Sequence, residues 1–327
     1  METIKIWGEH IPYNSPKEKF QDHVPQMDRD ELWQKMREWF ERGDDPNRDP
    51  VIRRQVVMQD EIGRWGAKWT FEDEPYLIPF VAEESRDAVV IIPGGAYVMK
   101  SMEHEGTEVA QLLNAEGVSC FVLWYRTWPY RFPAACLDAQ RAVRYLKAHA
   151  AEYGFSPERV SLMGFSAGGN AAAGSWHLLK QVEHPLWSED YLPDDIDAMD
   201  PRPHSLALIY AALEVSRDPQ CLHMLAGKER FEDPAEEKEW IQKLDLRQYI
   251  CKNDPPHFLC YGTEDTVVLP QGTRDFAQQL KSLDIPVETT AIEGADHGFG
   301  SCVNPHRKGE FAAAGWQKNY AAWLKKL

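Results

Sequence analysis

An α/β fold, with a mostly parallel central sheet, helices on both of its faces and a small cap insertion, is what this 327-residue chain predicts. Three observations carry that reading. From residue 88 onward, short apolar runs alternate with amphipathic stretches of helical length, the pattern of parallel strands buried on both faces. Glycine-bearing loops follow four of those runs, at the edge where open parallel sheets collect their chemistry. One of the loops is Gly164-Phe165-Ser166-Ala167-Gly168, set between the apolar Val160–Met163 and a run of small, helix-compatible residues. That is the strand–turn–helix context of a nucleophile elbow.

In chain order, residues 1–50 read as a polar, proline-punctuated N-terminal extension. Within it, Asp30–Arg42 places Leu32, Met36, Trp39 and Phe40 on one helix face, and Gly43 is a plausible stop. Such a stripe should be buried. It either packs on its own domain, forms a lid over a substrate cleft, or meets a second copy of the chain in a homo-oligomer. The catalytic domain is expected over 51–327. It opens with strands at Val51–Met58, Ala67–Phe71 and Tyr76–Val81, and Pro79 suggests that the last lies at an edge. Further strands are expected at Ala88–Ile92, Val118–Trp124, Val160–Met163, Ser205–Tyr210, His257–Tyr261 and Val287–Ala291. Helices are expected at Glu105–Glu116, Ala135–Tyr153, Ala167–Lys180 and Gln271–Leu283, with a last one ending at Leu327. Residues 211–256 exceed the length of a simple crossover. Their helical patches, Pro219–Leu225 and Ala235–Lys243, suggest the small cap.

Composition narrows the function. Hydrophobic residues at 43% and charged residues at 27% describe an ordinary folded chain. Thirty-six basic against 52 acidic residues leave a net charge of −16, which disfavours nucleic acid and makes a neutral substrate the easier partner. The N-terminus lacks a basic start followed by an apolar stretch, and no apolar run reaches transmembrane length. A cytoplasmic location with no membrane partner is therefore expected. Six scattered cysteines without a C-x-x-C pair read as buried free thiols, although a secreted form stripped of its signal would carry the same pattern. No clustered Cys/His ligand set appears, so neither a metal nor a cofactor is expected.

The loops supply the chemistry. After Ala88–Ile92 comes Pro93-Gly94-Gly95-Ala96-Tyr97; after His257–Tyr261 comes Gly262-Thr263-Glu264-Asp265; after Val287–Ala291 comes Glu293-Gly294-Ala295-Asp296-His297-Gly298. A serine hydroxyl needs a histidine to take its proton, and the histidine needs a carboxylate to hold its tautomer. Ser166 is assigned as nucleophile, His297 as general base and acid, and Asp265 as the orienting acid, in the order Ser, acid, His. The backbone amides of Gly95, Ala96 and Ala167 are the expected oxyanion hole. Glu264 and Asp296 are rivals for the acid. Adjacent residues in a loop seldom aim alike, and an aspartate next to the histidine in sequence is poorly placed to pair with its ring. Tyr97 and Trp128, beside the active edge, are the candidate substrate-binding residues. The bland alternative is a glycine-rich turn with an ordinary N-cap serine.

These residues resemble the α/β-hydrolase superfamily, and within it the bacterial esterase/lipase branch with acetyl-xylan esterases and related carbohydrate esterases. The resemblance runs from Ala88–Tyr97 and Glu105-Gly106 through Phe121–Arg126, Asp138–Ala142 and Gly164–Gly169 to Gly262–Asp265 and His297–Phe299. Many relatives carry His-Gly-Gly where this chain has Pro93-Gly94-Gly95, and Ile209-Tyr210-Ala211-Ala212 stands where they often have Tyr-Pro. The likeness implies an α/β-hydrolase fold and hydrolysis of short-chain, chiefly acetyl, esters on an oligosaccharide or another small molecule through an acyl-enzyme. The same triad serves amide or peptide hydrolysis. A non-catalytic binding protein on this scaffold would typically lack a triad member.

Overall fold

The structure is a computed structural model that describes residues 2–14, 55–61, 64–70, 74–128, 130–180, 189, 191–214, 219–303 and 315–327. The expected helix at Asp30–Arg42 and its proposed roles lie outside the described residues. Eight strands form the main sheet in the order β1-β4-β7-β5-β8-β9-β10-β11. They are β1 (Ile4–Lys5), β4 (Tyr76–Phe80), β7 (Ser119–Trp124), β5 (Ala88–Ile92), β8 (Val160–Phe165), β9 (Leu206–Ile209), β10 (His257–Gly262) and β11 (Val287–Ile292). The pairings β1·β4 and β4·β7 are antiparallel, and every pairing from β7 to β11 is parallel. This is the mostly parallel sheet of an α/β-hydrolase fold.

The continuous apolar strands follow from burial on both faces. In β5, Val90 and Ile92 point into one core layer with Phe121, Leu162 and Leu208, whereas Val89 and Ile91 point into the other with Val122, Met163 and Ile209. Helices α2 (Ala134–Ala148), α4 (Ser166–His177) and α7 (Pro270–Ser282) cover the first layer. Helices α1 (Glu108–Ala115) and α8 (Trp316–Leu324) cover the second. Each fully buried aliphatic side chain contributes about 1.5–3 kcal/mol, so neither face of the central strands tolerates a polar residue cheaply. By contrast β11, at the edge, is mostly half-buried or exposed.

Several expected boundaries move. The first two expected strands are a hairpin, β2 (Gln55–Glu61) and β3 (Arg64–Thr70), in a separate three-stranded sheet with the two-residue β6 (Met99–Lys100). A two-residue strand carries no periodicity to read. Pro79 is not on the edge strand, because β4 lies between β1 and β7; yet β1 pairs only with Tyr76 and Leu77, so Pro79 lies beyond its reach. The expected helix over Ala135–Tyr153 divides at His149 into α2 and the single turn α3 (Ala150–Tyr153), and Gly154 closes it in the left-handed conformation. A π-helical turn over Glu103–Thr107 precedes α1. Between β9 and β10 lie α5 (Pro219–Ala226) and α6 (Pro234–Leu244), and proline opens both, where its missing N–H costs nothing. Leu225 and Trp240 of these helices meet Phe132, beyond β7. Among the described residues no helix is long and apolar enough to cross a membrane.

At the amino end of the sheet, His257 opens β10 and His177 closes α4, with their Nε2 atoms 3.3 Å apart and both rings fully buried. Asp254 faces His177 Nδ1 at 3.3 Å and is held by Lys180. Burial first, then the neighbouring His177, pushes the pKa of His257 down to about 3, and burial also lowers that of His177. The His257 ring is therefore neutral in the fold but titrates near 6.5 once unfolded. The unfolded chain then binds more protons below that pH, so this contribution is complete above pH 6.5 and lost as pH falls toward 3. Stability from urea unfolding should fall between pH 6.5 and 4.5, with His257 contributing up to about 1.4 kcal/mol per pH unit. His257→Phe should flatten that slope by close to one proton; an unchanged slope would remove the pair from the explanation.

Candidate active site

The candidate site stands at the carboxyl end of the parallel strands. β8 ends at Phe165, and the chain turns into α4 through Ser166, whose φ is +50°. Left-handed geometry at a residue with a β-carbon is strained, and such strain collects at functional sites. Close backbone contact holds it. A β-carbon on Gly168 would fall 2.2 Å from Ile92 O and 2.4 Å from Pro93 O, and one on Gly164 would fall 2.3 Å from Gly168 O. The G-x-S-x-G glycines are thus required where the first turn of α4 crosses the end of β5.

Asp265 lies in the loop after β10, with its side chain fully buried. Val267 N and Val268 N donate to Oδ1 at 2.9 and 2.8 Å, which leaves Oδ2 for His297 Nδ1 at 2.8 Å. His297, from the loop after β11, sets Nε2 at 2.9 Å from Ser166 Oγ. With the Asp265 carboxylate, a pure acceptor, bonded at Nδ1, the consistent tautomer carries its proton there, and Nε2 accepts from the Ser166 hydroxyl. The two rival acids are elsewhere. Glu264 is exposed. Asp296 Oδ1 accepts from Thr266 N, Thr266 Oγ1 and His297 N at 2.9, 3.0 and 2.7 Å. Partial burial raises its pKa, but these bonds outweigh that and hold the carboxyl below the usual carboxylate range. Asp296 therefore ties the acid loop to the histidine loop instead of pairing with the ring.

The loop after β5 brings Gly94 so close to the serine that a β-carbon there would lie 2.9 Å from Ser166 Cβ. Gly95, Ala96 and Tyr97 all follow with positive φ. The Gly95 carbonyl accepts from Val98 N and Met99 N, both at 3.0 Å, so the turn is closed behind its amides. Ala167, second residue of α4, carries one of the first-turn amides that have no acceptor within a helix. Tyr97 and Trp128 are both buried and joined by Trp128 N to Tyr97 O at 2.6 Å, while the Tyr97 hydroxyl donates to Asn170 Oδ1 at 2.6 Å. Tyr97 thus joins the β5 loop to α4, and Trp128 adjoins it from the loop after β7.

Sequence reasoning gave no role to Asn170 or Thr266, nor to the partners of Glu105 and Tyr210. The Glu105 carboxylate accepts from Gly94 N at 2.7 Å and from the Tyr210 hydroxyl at 2.8 Å. Glu105 stood within a recognisable stretch, but nothing in a linear pattern says which amide a buried carboxylate will meet.

A family model described as alpha/beta hydrolase fold matches residues 89–301, and the chain belongs to that family. The chain is 26% identical over 227 residues to an acetylxylan esterase of Xylanibacter ruminicola, covering 68% of this chain and 43% of that one. It is 24% identical over 261 residues to Esterase LipC of Mycobacterium tuberculosis, covering 76% and 60%. It is also 26% identical over 262 residues to Endo-1,4-beta-xylanase B of Butyrivibrio fibrisolvens, covering 78% and 39%. The chain thus spans between 39% and 60% of the length of these relatives. Among solved structures, the acetyl ester-xyloside bifunctional hydrolase of Caldicellulosiruptor lactoaceticus superposes with a TM-score of 0.65 at 26% identity, covering 77% of this chain and 88% of that one.

The contact at the elbow makes a direct prediction about stability. Gly168→Ala forces a methyl group onto two carbonyl oxygens of rigid strand-end backbone, and overpacking of this kind costs about 1–3 kcal/mol or more. The variant should show a lower midpoint in chemical denaturation than the parent chain, or fail to accumulate as folded protein. A midpoint equal to the parent's would mean that the backbones are not this close.

Proposed function

We propose that the chain is a serine carboxylesterase that hydrolyses short-chain esters, chiefly acetyl esters of oligosaccharides, through an acyl-enzyme. The observation that carries the reading is the imidazole of His297, bonded on one side to a buried carboxylate and on the other to a strained serine. In the first step Ser166 Oγ bonds to the ester carbonyl carbon as His297 Nε2 takes the hydroxyl proton. The carbonyl electron pair moves onto its oxygen, which the amides of Gly95, Ala96 and Ala167 receive. Collapse re-forms the carbonyl, breaks the bond to the alcohol oxygen, and the proton on Nε2 leaves with the alcohol. Water then repeats the sequence on the acyl-serine and frees the acid. Asp265 stays ionised throughout and stabilises the imidazolium.

The short acyl preference is supported by the bulk of Tyr97, which is bonded to Asn170 of α4 four residues beyond Ser166, and of the adjoining Trp128. An open apolar pocket would favour each added methylene by about tenfold or more, so a preference for acetyl requires a wall that closes the acyl side. The carbohydrate part of the reading is supported by the similarity to an acetylxylan esterase and to an acetyl ester-xyloside bifunctional hydrolase.

Ser166→Ala should lower turnover of p-nitrophenyl acetate by more than about 10³-fold, and a fluorophosphonate should attach to Ser166 when the labelled peptide is mapped by mass spectrometry. Label on another residue, or a fully active alanine variant, would overturn the assignment. Asp265→Asn should cost about 10³–10⁴ in kcat by favouring the wrong tautomer, whereas the exposed Glu264→Gln should matter little. The reverse ranking would move the acid one residue back.

Acetyl esters should exceed butyryl and octanoyl esters in kcat/KM, and acetylated xylo-oligosaccharides should release acetate. A steady rise in kcat/KM with chain length would point instead to an open apolar trough.

A further inference from the structure

The π-helical turn Glu103–Thr107 contacts both halves of the site without reaching the reacting atoms. From it, the two oxygens of the buried Glu105 take different partners. Oε2 accepts from Gly94 N at 2.7 Å, on the oxyanion side, and Oε1 accepts from the Tyr210 hydroxyl at 2.8 Å. The same hydroxyl oxygen accepts from Gly300 N at 3.0 Å, three residues past His297. One carboxylate therefore joins the β5 loop to the histidine loop through a single tyrosine. The neighbouring His104 reinforces the second half: its Nε2 lies 2.9 Å from Gly298 O, and its carbonyl accepts from Ser301 N at 3.0 Å.

Tyr210 is itself under strain. It follows β9 with φ at +35°, an outlier for a bulky side chain, and its amide is fixed to Cys260 O at 2.6 Å. That backbone carries the ring edge-on to His297, with centroids 4.9 Å apart, and against Phe299 at 4.5 Å. The position of the oxygen is sensitive as well. A β-carbon on Gly94 would meet Glu105 Oε2 at 2.8 Å and Ser166 Cβ at 2.9 Å, so carboxylate, peptide and nucleophile are stacked with no slack. Movement of Glu105 would shift the Pro93–Gly94 peptide that it holds, and with it the following Gly95 amide, toward or away from the serine. Single π-turns are found disproportionately at functional sites, and here one is needed to put residues 104 and 105 on both loops at once.

We infer that Glu105 is a positioning residue for catalysis, which through Gly94 and through Tyr210 sets the oxyanion amides and His297 in register with Ser166. The inference rests on the serine-esterase reading above, and it goes beyond it by assigning a catalytic consequence to a group that never touches substrate. Because the geometry it sets matters most when charge develops on the carbonyl oxygen, its loss should be felt in the transition state and not in the binding of substrate.

The experiment uses Glu105→Gln, Glu105→Ala and Tyr210→Phe in the full chain, each normalised to the serine titrated by a fluorophosphonate. Glutamine keeps one acceptor oxygen and cannot serve both Gly94 N and the tyrosine hydroxyl, so it should fall between the parent and alanine. Expected values are a kcat lower by about 10²-fold in Glu105→Ala, the size seen when one oxyanion donor is lost, with KM within about threefold. Tyr210→Phe, which removes the hydroxyl from both Glu105 and Gly300 N but leaves the Glu105 bond to Gly94 N in place, should lose about tenfold. The affinity for a trifluoromethyl ketone, which forms a tetrahedral adduct on the serine, should drop in parallel with kcat. Should Glu105→Ala not fold, the same split between kcat and KM is read from Glu105→Gln and Tyr210→Phe. The inference is overturned if kcat per titrated serine stays within twofold of the parent in the folded variants, or if KM rises while kcat holds. If Ser166→Ala is itself active and no serine is titrated, it is the esterase reading that fails.

Discussion

Three stretches of backbone meet at the carboxyl edge of the sheet with no side chains between them, and the geometry of the site depends on that meeting. The end of β5 carries the carbonyls of Ile92 and Pro93, the first turn of α4 lays Gly168 on them, and Gly164 at the end of β8 rests on Gly168 in turn. Interiors are close-packed and do not yield by an ångström to admit a methyl group. With the crossing fixed at this distance, the residue between the two strand ends has to turn sharply, and Ser166 is left with positive φ and its hydroxyl above the sheet. The same proximity places Gly94 against the Ser166 β-carbon. Ser166 and the β5 loop are therefore positioned by one set of backbone contacts, not independently.

A second constraint acts from beneath. Arg126 and Asp138 are both fully buried at the foot of the loop that carries Trp128, with Arg126 Nη2 2.7 Å from Asp138 Oδ1 and Arg126 Nε 3.0 Å from Oδ2. Trp7 Nε1 donates to the same carboxylate at 2.9 Å, and Arg126 also holds the carbonyl of Pro12. A buried ion pair is weak support for stability, since desolvation offsets much of its attraction, but a pair lacking one member leaves a charge that nothing solvates. Its value here is geometric. The pair holds residues 7–12, the loop after β7 and α2 in one arrangement, so Trp128 and the Tyr97 it bonds stand on a fixed base.

Much of this was legible in the sequence. The alternation of apolar runs and amphipathic stretches located the parallel strands from Ala88 to Ala291, because burial on both faces leaves an unbroken apolar signature. Loop position was equally informative: Ser166, Asp265 and His297 each follow a strand, and strands that run parallel bring their following loops to one edge. Carboxylates resisted this reading. Asp265, Asp296 and Glu105 look alike in a chain, and their tasks separate only by which amides they face. Asp265 is fully buried with one oxygen taken by two valine amides, Asp296 ties two loops, and Glu105 bridges two others. Hydrogen-bond partners distant in sequence leave no period to detect. The two-residue β6, the π-turn and the second sheet escaped for a related reason, since each is shorter than the window in which a period can be recognised.

The layout also separates the chemistry from the acid sensitivity of the fold. Helix α4 begins at Ser166 and ends at His177, and twelve residues at about 1.5 Å each put roughly 18 Å between the elbow and the buried histidine pair. Both ends of that helix are tightly constrained, by carbonyl contact at one and by ring contact and Asp254 at the other. Histidine serves the two ends in opposite ways. His297 is partly open to solvent and bonded to the Asp265 carboxylate, the setting in which the serine-esterase proposal gives it the proton. His257 is sealed in the core, where a positive charge has no comparable partner and the neutral ring prevails. The same side chain is thus a carboxylate-bonded, partly open ring at one edge of the sheet and a neutral packing element at the other, and the difference lies in burial and in which charged groups stand next to it.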